Sequence, residues 1–203
     1  MKLQWHGHSC FQVFSGEYSV VFDPYQDNSV AGLGPLRVTA DAVYCSHGHH
    51  DHNADKLVTL TGRDCPIAVE DIPSFHDDKQ GTLRGENVIR LLSAEGMRVA
   101  HLGDLGHMLT GDALAALKGV DVLLVPVGGF FTIDAETAKS LVDELAPRIV
   151  IPMHYRLGNM GHDVIAELGD YTALCDNVRY YDGDTIEIGP DTPAQTAVLT
   201  YGK

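Results

Sequence analysis

The run Ala42-Val43-Tyr44-Cys45-Ser46-His47-Gly48-His49-His50-Asp51-His52 passes in one step from apolar residues to a dense set of ligand types. Its first half, Ala42–Ser46, reads as a strand bearing a buried reduced thiol at Cys45. In extended backbone, residues i and i+2 project to the same side, so His47 and His49 face one ion while His50 points away. Asp51 and His52 fall where a helix running to about Leu60 is expected to begin, and they face a second ion. The plainer reading makes Asp51 a helix cap and the histidines a solvated loop. Three histidines and an aspartate within six residues, directly after a strand, favour metal binding on ligand density alone.

Further segments share this design of an apolar strand ending in a ligand type. Asp23 ends Val20-Val21-Phe22, Asp104 follows Val99-Ala100-His101-Leu102-Gly103, and His154 ends Ile149-Val150-Ile151-Pro152-Met153. Strand ends along one sheet edge are where α/β sheets assemble sites, because the backbone there is rigid and the side chains converge. Pro66–Glu70, Asn87–Leu92 and Met97–Leu102 read as further strands, the last two joined at Gly96, and Asp121–Pro126 as a buried strand. Helices are expected over Asp112–Leu117, over Asp134–Leu145 with Asp134 as N-cap, and over His162–Leu168. Val178–Ile188 reads as a terminal hairpin about Asp182-Gly183. Strands first and strand–helix alternation afterwards fit an α/β layered sandwich, with residues 1–203 as one domain.

The chain has 203 residues, 44% hydrophobic and 21% charged, enough for a real core. A formal charge of −14 argues against binding nucleic acid or an anionic membrane, both of which need a positive field. The expected partner is a small molecule, and bound divalent ions would reverse the charge locally. Neither a secretory signal nor an apolar membrane span is legible, and the four cysteines form no C-x-x-C pair, so a reducing cytoplasm is the expected compartment.

His47-Gly48-His49-His50-Asp51-His52 matches the H-x-H-x-D-H signature and resembles the metallo-β-lactamase superfamily. Gly7-His8-Ser9-Cys10-Phe11, Arg84-Gly85-x-Asn87, Gly103-Asp104-Leu105-Gly106-His107 and Pro152-Met153-His154-Tyr155 resemble its L-ascorbate-6-phosphate lactonase-like branch. The resemblance implies a four-layer αβ/βα sandwich with a dinuclear site between two sheets. It implies that His47, His49 and His76 hold one metal, that Asp51, His52 and His154 hold the other, and that Asp104 bridges them. Asp23 then orients a ligand from behind, and His8 belongs to the same outer shell. Imidazoles and carboxylates without thiolate suit two Zn²⁺ ions, with Mn²⁺ or Fe as alternatives. The implied activity is hydrolysis, a metal-bridged hydroxide attacking a small anionic ester, lactone or phosphodiester, with Asp51 and Asp104 as catalytic carboxylates and Asp104 positioning the nucleophile.

Other residues are candidates for assistance. His107 either protonates a leaving group or is a surface histidine, and Tyr155 either donates its hydroxyl or packs beside His154. Arg84 and Arg156 suit a phosphate or carboxylate, and Gly128 and Gly129, followed by two phenylalanines, permit close approach of backbone to substrate. No phosphate-binding loop or dinucleotide fingerprint is present. The short chain leaves little to roof a site, so Thr61–Gly85 or contacts in a homo-oligomer are expected to close it. Two other readings stand beside hydrolysis: a metal-binding sensor or scaffold without turnover, and a redox diiron protein, which would need a flavin partner.

Overall fold

Apolar residues at every second position turn the N-terminal strands into one-sided ribbons, Leu3, Trp5, Phe11, Val13, Val20 and Phe22 all facing a common core. The computed structural model describes residues 1–202. Its strands are β1 (Lys2–Gly7), β2 (Cys10–Ser15), β3 (Tyr18–Phe22), β4 (Val38–Ala40), β5 (Ala42–Tyr44), β6 (Val58–Leu60), β7 (Ala68–Phe75), β8 (Glu86–Ala94), β9 (Met97–His101), β10 (Val122–Pro126), β11 (Ile149–Met153), β12 (Val178–Tyr180), β13 (Thr185–Glu187) and β14 (Gln195–Val198). The helices are α1 (Gly111–Leu117), α2 (Ala135–Leu145) and α3 (Leu168–Thr172).

Two sheets pack face to face across the main core, a five-stranded one ordered β13-β1-β2-β3-β5 and a seven-stranded one ordered β12-β14-β11-β10-β9-β8-β7. The second sheet runs antiparallel through β7, β8 and β9 and parallel from β9 to β12. Its central strands β10 and β11 are buried at every position, as parallel strands covered on both faces must be. Helix α2 packs over β10 and against α3. Its first turn is closed by Asp134, whose carboxylate accepts from the Thr137 amide as the sequence predicts. A smaller core of Cys10, Val21, Tyr25, Val30, Leu36, Ala40 and Val58 covers the outer face of the five-stranded sheet, with loop and the parallel β4–β6 pair forming that layer. No helix among the described residues is long and apolar enough to cross a membrane.

Three local expectations give way to tertiary pairing. Beyond Asp51 the chain forms only a single 3₁₀ turn, Asp55–Leu57, before β6, because Val58 and Thr59 pair with Val38 and Thr39. The segment from His162 is not helical until Leu168: Ala166 bonds to Gly128 and Arg156 through its amide and carbonyl, and helical bonds are replaced by loop contacts. Val178–Ile188 is no hairpin, since β12 joins β14 in one sheet while β13 joins β1 in the other. The strand that makes this crossing necessary, β14, carries the polar pair Gln195-Thr196, which hides it from a search for apolar runs.

Topology then sets the site. Strands β1, β3 and β5 run in one direction in their sheet, and β7, β9 and β11 do so in theirs. His8, Asp23, His47–His52, His76, Asp104 and His154 all follow the C-terminal ends of these six strands.

Candidate metal centre

Three of those residues, His8, Asp23 and His154, turn out of their strands with φ of 51°, 45° and 52°. Side chains rarely take this left-handed conformation, and such strain is held where the surroundings fix it and a side chain must be aimed.

Asp104 is the hub, and Gly103 places it. A Cβ at Gly103 would lie 2.4 Å from Asn87 Oδ1 and 2.5 Å from Ser46 Cβ, so only glycine lets the two sheets close here. The Asn87 side chain accepts from the Asp104 amide at 2.9 Å and donates to the Leu102 carbonyl and Ser74 hydroxyl. The Asp104 carboxylate lies 3.2 Å from His52 Nε2, 3.3 Å from His154 Nε2, 3.4 Å from His76 Nε2 and 3.8 Å from His47 Nε2. Burial would raise this carboxyl, but His154 and His52 hold it well below the usual range. The same carboxylates act on His52: burial would lower it, yet Asp104 and Asp23 push it well up.

Asp23 sets the tautomers. Its Oδ2 accepts from His52 Nδ1 at 2.8 Å and from the Ser46 hydroxyl at 2.6 Å, and Oδ1 accepts from the Ser46 amide. Having donated its proton, the Ser46 hydroxyl accepts from His47 Nδ1 at 2.9 Å. Both Nδ1–H groups are thereby held outward and each Nε2 aims inward, where a metal can take the place of a proton, the arrangement that outer-shell carboxylates impose on ligand histidines. Sequence reading took Ser46 only as the end of a strand; its hydroxyl, between Asp23 and His47, is part of the site.

The donor set fits metal. His47, His49 and His76 offer atoms that all lie within 4.8 Å of one another, as do His8, Asp51, His52 and His154, and as do His47, His52 and Asp104. The Nε2 atoms of His47, His52 and His154 and Oδ1 of Asp104 are buried without a hydrogen-bond partner. Groups that approach within 3.2–3.8 Å without bonding one another converge on a common centre. With bonds of about 2.0–2.1 Å, two donors on one tetrahedral ion lie roughly 3.3 Å apart. Burial pushes His47 down to about 4, so its imidazole is neutral at pH 7 and keeps its lone pair.

Asp51 is gripped from two sides, its Oδ2 lying 3.1 Å from His162 Nε2 and 3.3 Å from His8 Nε2. Burial would raise its carboxyl, but the bonds from His162 and His8 hold it far below the usual range. His162 is a second residue that sequence reading missed, because that reading put it inside a helix.

A cavity of about 390 Å³ opens over the cluster, lined by His49, Asp51, His76, Leu83, Arg84, Asp104, Phe131, His154 and His162. Arg84 reaches it from a loop built on Asp77, whose carboxylate accepts four backbone amides, those of Lys79, Gly81, Leu83 and Arg84. The Arg84 guanidinium stands 5.8 Å from the centre of the Phe131 ring across the mouth.

Other candidates lie elsewhere. His107 has both nitrogens on backbone, accepting from the Phe75 amide at 3.3 Å and donating to the Met108 carbonyl at 3.0 Å, and it lines a neighbouring groove with Gly129. Tyr155 is buried against Trp5, ring centres 5.8 Å apart. Arg156 pairs with Glu167 at 2.8 Å outside the cavity. Gly128 is small for packing, since a Cβ there would meet the His154 carbonyl oxygen at 2.1 Å. His8, expected behind the ligands, has a ring nitrogen within 4.8 Å of donor atoms of Asp51, His52 and His154.

Residues 2–154 match the model of the Beta-lactamase superfamily domain, and the chain belongs to that family. It is 28% identical to a UPF0173 metal-dependent hydrolase of Thermoplasma acidophilum over 89% of this chain and 93% of the relative. A UPF0173 metal-dependent hydrolase of Carboxydothermus hydrogenoformans is 29% identical over 84% and 90% of the two chains. The fold superposes on a crystal structure from Thermotoga maritima, of a candidate Zn-dependent hydrolase of the metallo-β-lactamase superfamily. The TM-score is 0.78 at 31% identity, covering 98% of this chain and 97% of that one.

Proposed function

We propose that this protein is a metal-dependent hydrolase that uses two divalent ions, zinc foremost with manganese or iron as alternatives, on a small anionic ester, lactone or phosphodiester. One observation carries the reading: unpartnered, buried Nε2 atoms of His47, His52 and His154 converge around Asp104 at the floor of a cavity with an arginine on its wall. The names of the relatives from Thermoplasma acidophilum and Thermotoga maritima support the same class. His47, His49 and His76 would hold one ion, Asp51, His52 and His154 the other, with Asp104 between them. Ions held there would lower the pKa of a bound water to near neutral and would polarise the electrophile.

The chain's own groups do the rest. Arg84 binds the anionic group of the substrate through its planar fork of donors. Leu83 and Phe131 give the cavity apolar walls, and its volume of about 390 Å³ admits a small molecule. Asp104 Oδ1, buried and without a hydrogen-bond partner, orients the attacking water. The four cysteines are free, which suits the cytoplasm as the working compartment.

The test is metal content by elemental analysis on protein purified without a histidine tag, followed by turnover of lactone, aryl ester and phosphodiester panels. About two equivalents with hydrolysis of an anionic member supports the proposal. Two equivalents without turnover of any member would favour a sensor, and no metal after supplementation would overturn both.

A further inference from the structure

We infer that His8 is itself a metal ligand, closing a four-donor pocket with Asp51, His52 and His154, so that the two metal positions are unequal in affinity. The inference rests on the metal-dependent reading above. It adds a donor to the second position and an order of loading.

His8 is 2% exposed, its Nε2 lies 3.3 Å from Asp51 Oδ2, and its Nδ1 is buried with no hydrogen-bond partner. A neutral imidazole carries one proton and one lone pair. If the proton is on Nδ1, the Nε2 lone pair faces a carboxylate oxygen, which is repulsive unless a cation lies between them. If it is on Nε2, the Nδ1 lone pair is buried with nothing to satisfy it. Either tautomer leaves a lone pair that no protein group uses, and the one on Nε2, facing Asp51, is the one that an ion shared with Asp51 takes up.

An orienting role for His8 is already filled. His162 Nε2 sits 3.1 Å from the same Asp51 oxygen, and its side chain, 29% exposed, reaches that oxygen from the cavity rim. His8 lies deeper, 2% exposed, its ring centre 5.3 Å from that of His162, 4.2 Å from that of His154 and 5.3 Å from that of His52. His8 takes φ of 51° directly after β1, as Asp23 takes 45° after β3 and His154 52° after β11, so the backbone aims all three toward the cluster.

The consequence is an asymmetric centre. Four protein donors from three segments, besides the shared Asp104, fill one position, whereas His47, His49 and His76 give the other one donor fewer. Closed sites retain their metal and open ones exchange ligands. The four-donor position loads first and holds the cluster in shape, and the three-histidine position exchanges its ion.

The test is a Co²⁺ titration of metal-stripped protein, read by calorimetry and by ¹H NMR. Wild-type protein is expected to bind in two classes, and at one equivalent three imidazoles, those of His8, His52 and His154, show hyperfine-shifted resonances. Only two shifted imidazoles at one equivalent would overturn the inference without any variant being made. In His8→Gln, which keeps a donor toward Asp51, the tight class is expected to weaken more than ~100-fold, beyond the ~10–100-fold typical of outer-shell changes. The second class is expected to hold, and His162→Gln to stay within that outer-shell range. Unchanged affinities in a His8→Gln protein with native circular dichroism would overturn the inference and leave the metal-dependent reading intact. Failure of wild-type protein to bind Co²⁺ would overturn that reading itself.

Discussion

Replacing Asp104 by asparagine keeps the side chain's size and removes the charge that the imidazoles of His47, His52, His76 and His154 surround. Asp104→Asn is expected to lose at least one metal equivalent and nearly all turnover, which elemental analysis and a hydrolysis assay on the same sample would show. His107 lies three residues along the same segment and behaves differently, because both of its nitrogens bond to backbone. His107→Ala is expected to keep metal content and turnover and to cost about 1 kcal/mol of stability per lost hydrogen bond, measured by denaturant unfolding. Equal loss of turnover in the two variants, with both metals retained in His107→Ala, would restore His107 as an acid. Residue type alone could not separate these two positions. One aims into the cluster and the other is spent on the chain.

At the scale of elements, two loops set the site's shape. The loop after β7 is wound around the Asp77 carboxylate, which four amides of the loop hold down to about 2 against the effect of burial. Asp77→Asn exchanges one acceptor oxygen for a donor amide and is expected to loosen Arg84. The measurement is steady-state kinetics, KM for an anionic substrate rising several-fold while kcat holds; a fall in kcat alone would show that the loop serves the metals instead. The loop after β10 meets the end of β11, where Gly128 has no room for a side chain beside the His154 carbonyl. Gly128→Ala is expected to destabilise the fold by roughly 1–3 kcal/mol, as overpacking does, and to weaken metal binding through displacement of His154. A denaturant midpoint and metal content that both match wild type would refute this.

For the whole molecule, the direction of pH sensitivity follows from buried groups. Burial lowers His6 and His101 below their ordinary 6.5, so between that pH and their folded values the unfolded chain binds protons that the folded one refuses. Stability of metal-free protein therefore falls as pH drops through about 6.5. Hydrogen bonds from Thr61 and Arg63 hold Asp41 down to about 2 against an ordinary 3.8, and the stabilisation from that carboxylate is lost as pH falls from about 4 toward 2. Both effects have one sign. The Tm of metal-free protein is expected to fall as pH drops from about 6.5 toward 4, with His52, which Asp104 and Asp23 hold up, as the buried group that opposes the trend, and a Tm that rises on acidification would contradict it.

The ligand types were legible because they are local. His47, His49, Asp51 and His52 fall within six residues, and Asp23, Asp104 and His154 announce themselves by following apolar runs. Period-two burial and the Asp134 cap made β1 and α2 readable in the same way. What the sequence by itself determined is thus the chemistry of the donors and the layered α/β class that presents them. Tertiary structure decided what depends on segments far apart in the chain. It set Ser46 between Asp23 and His47, brought His8 and His162 together on one oxygen of Asp51, and turned His107, Tyr155 and Arg156 away. It also sent β12 and β13 to different sheets. The reason is physical: a residue's type fixes what it can bind, but strand order and the competition of long-range partners for each polar atom fix what it does bind.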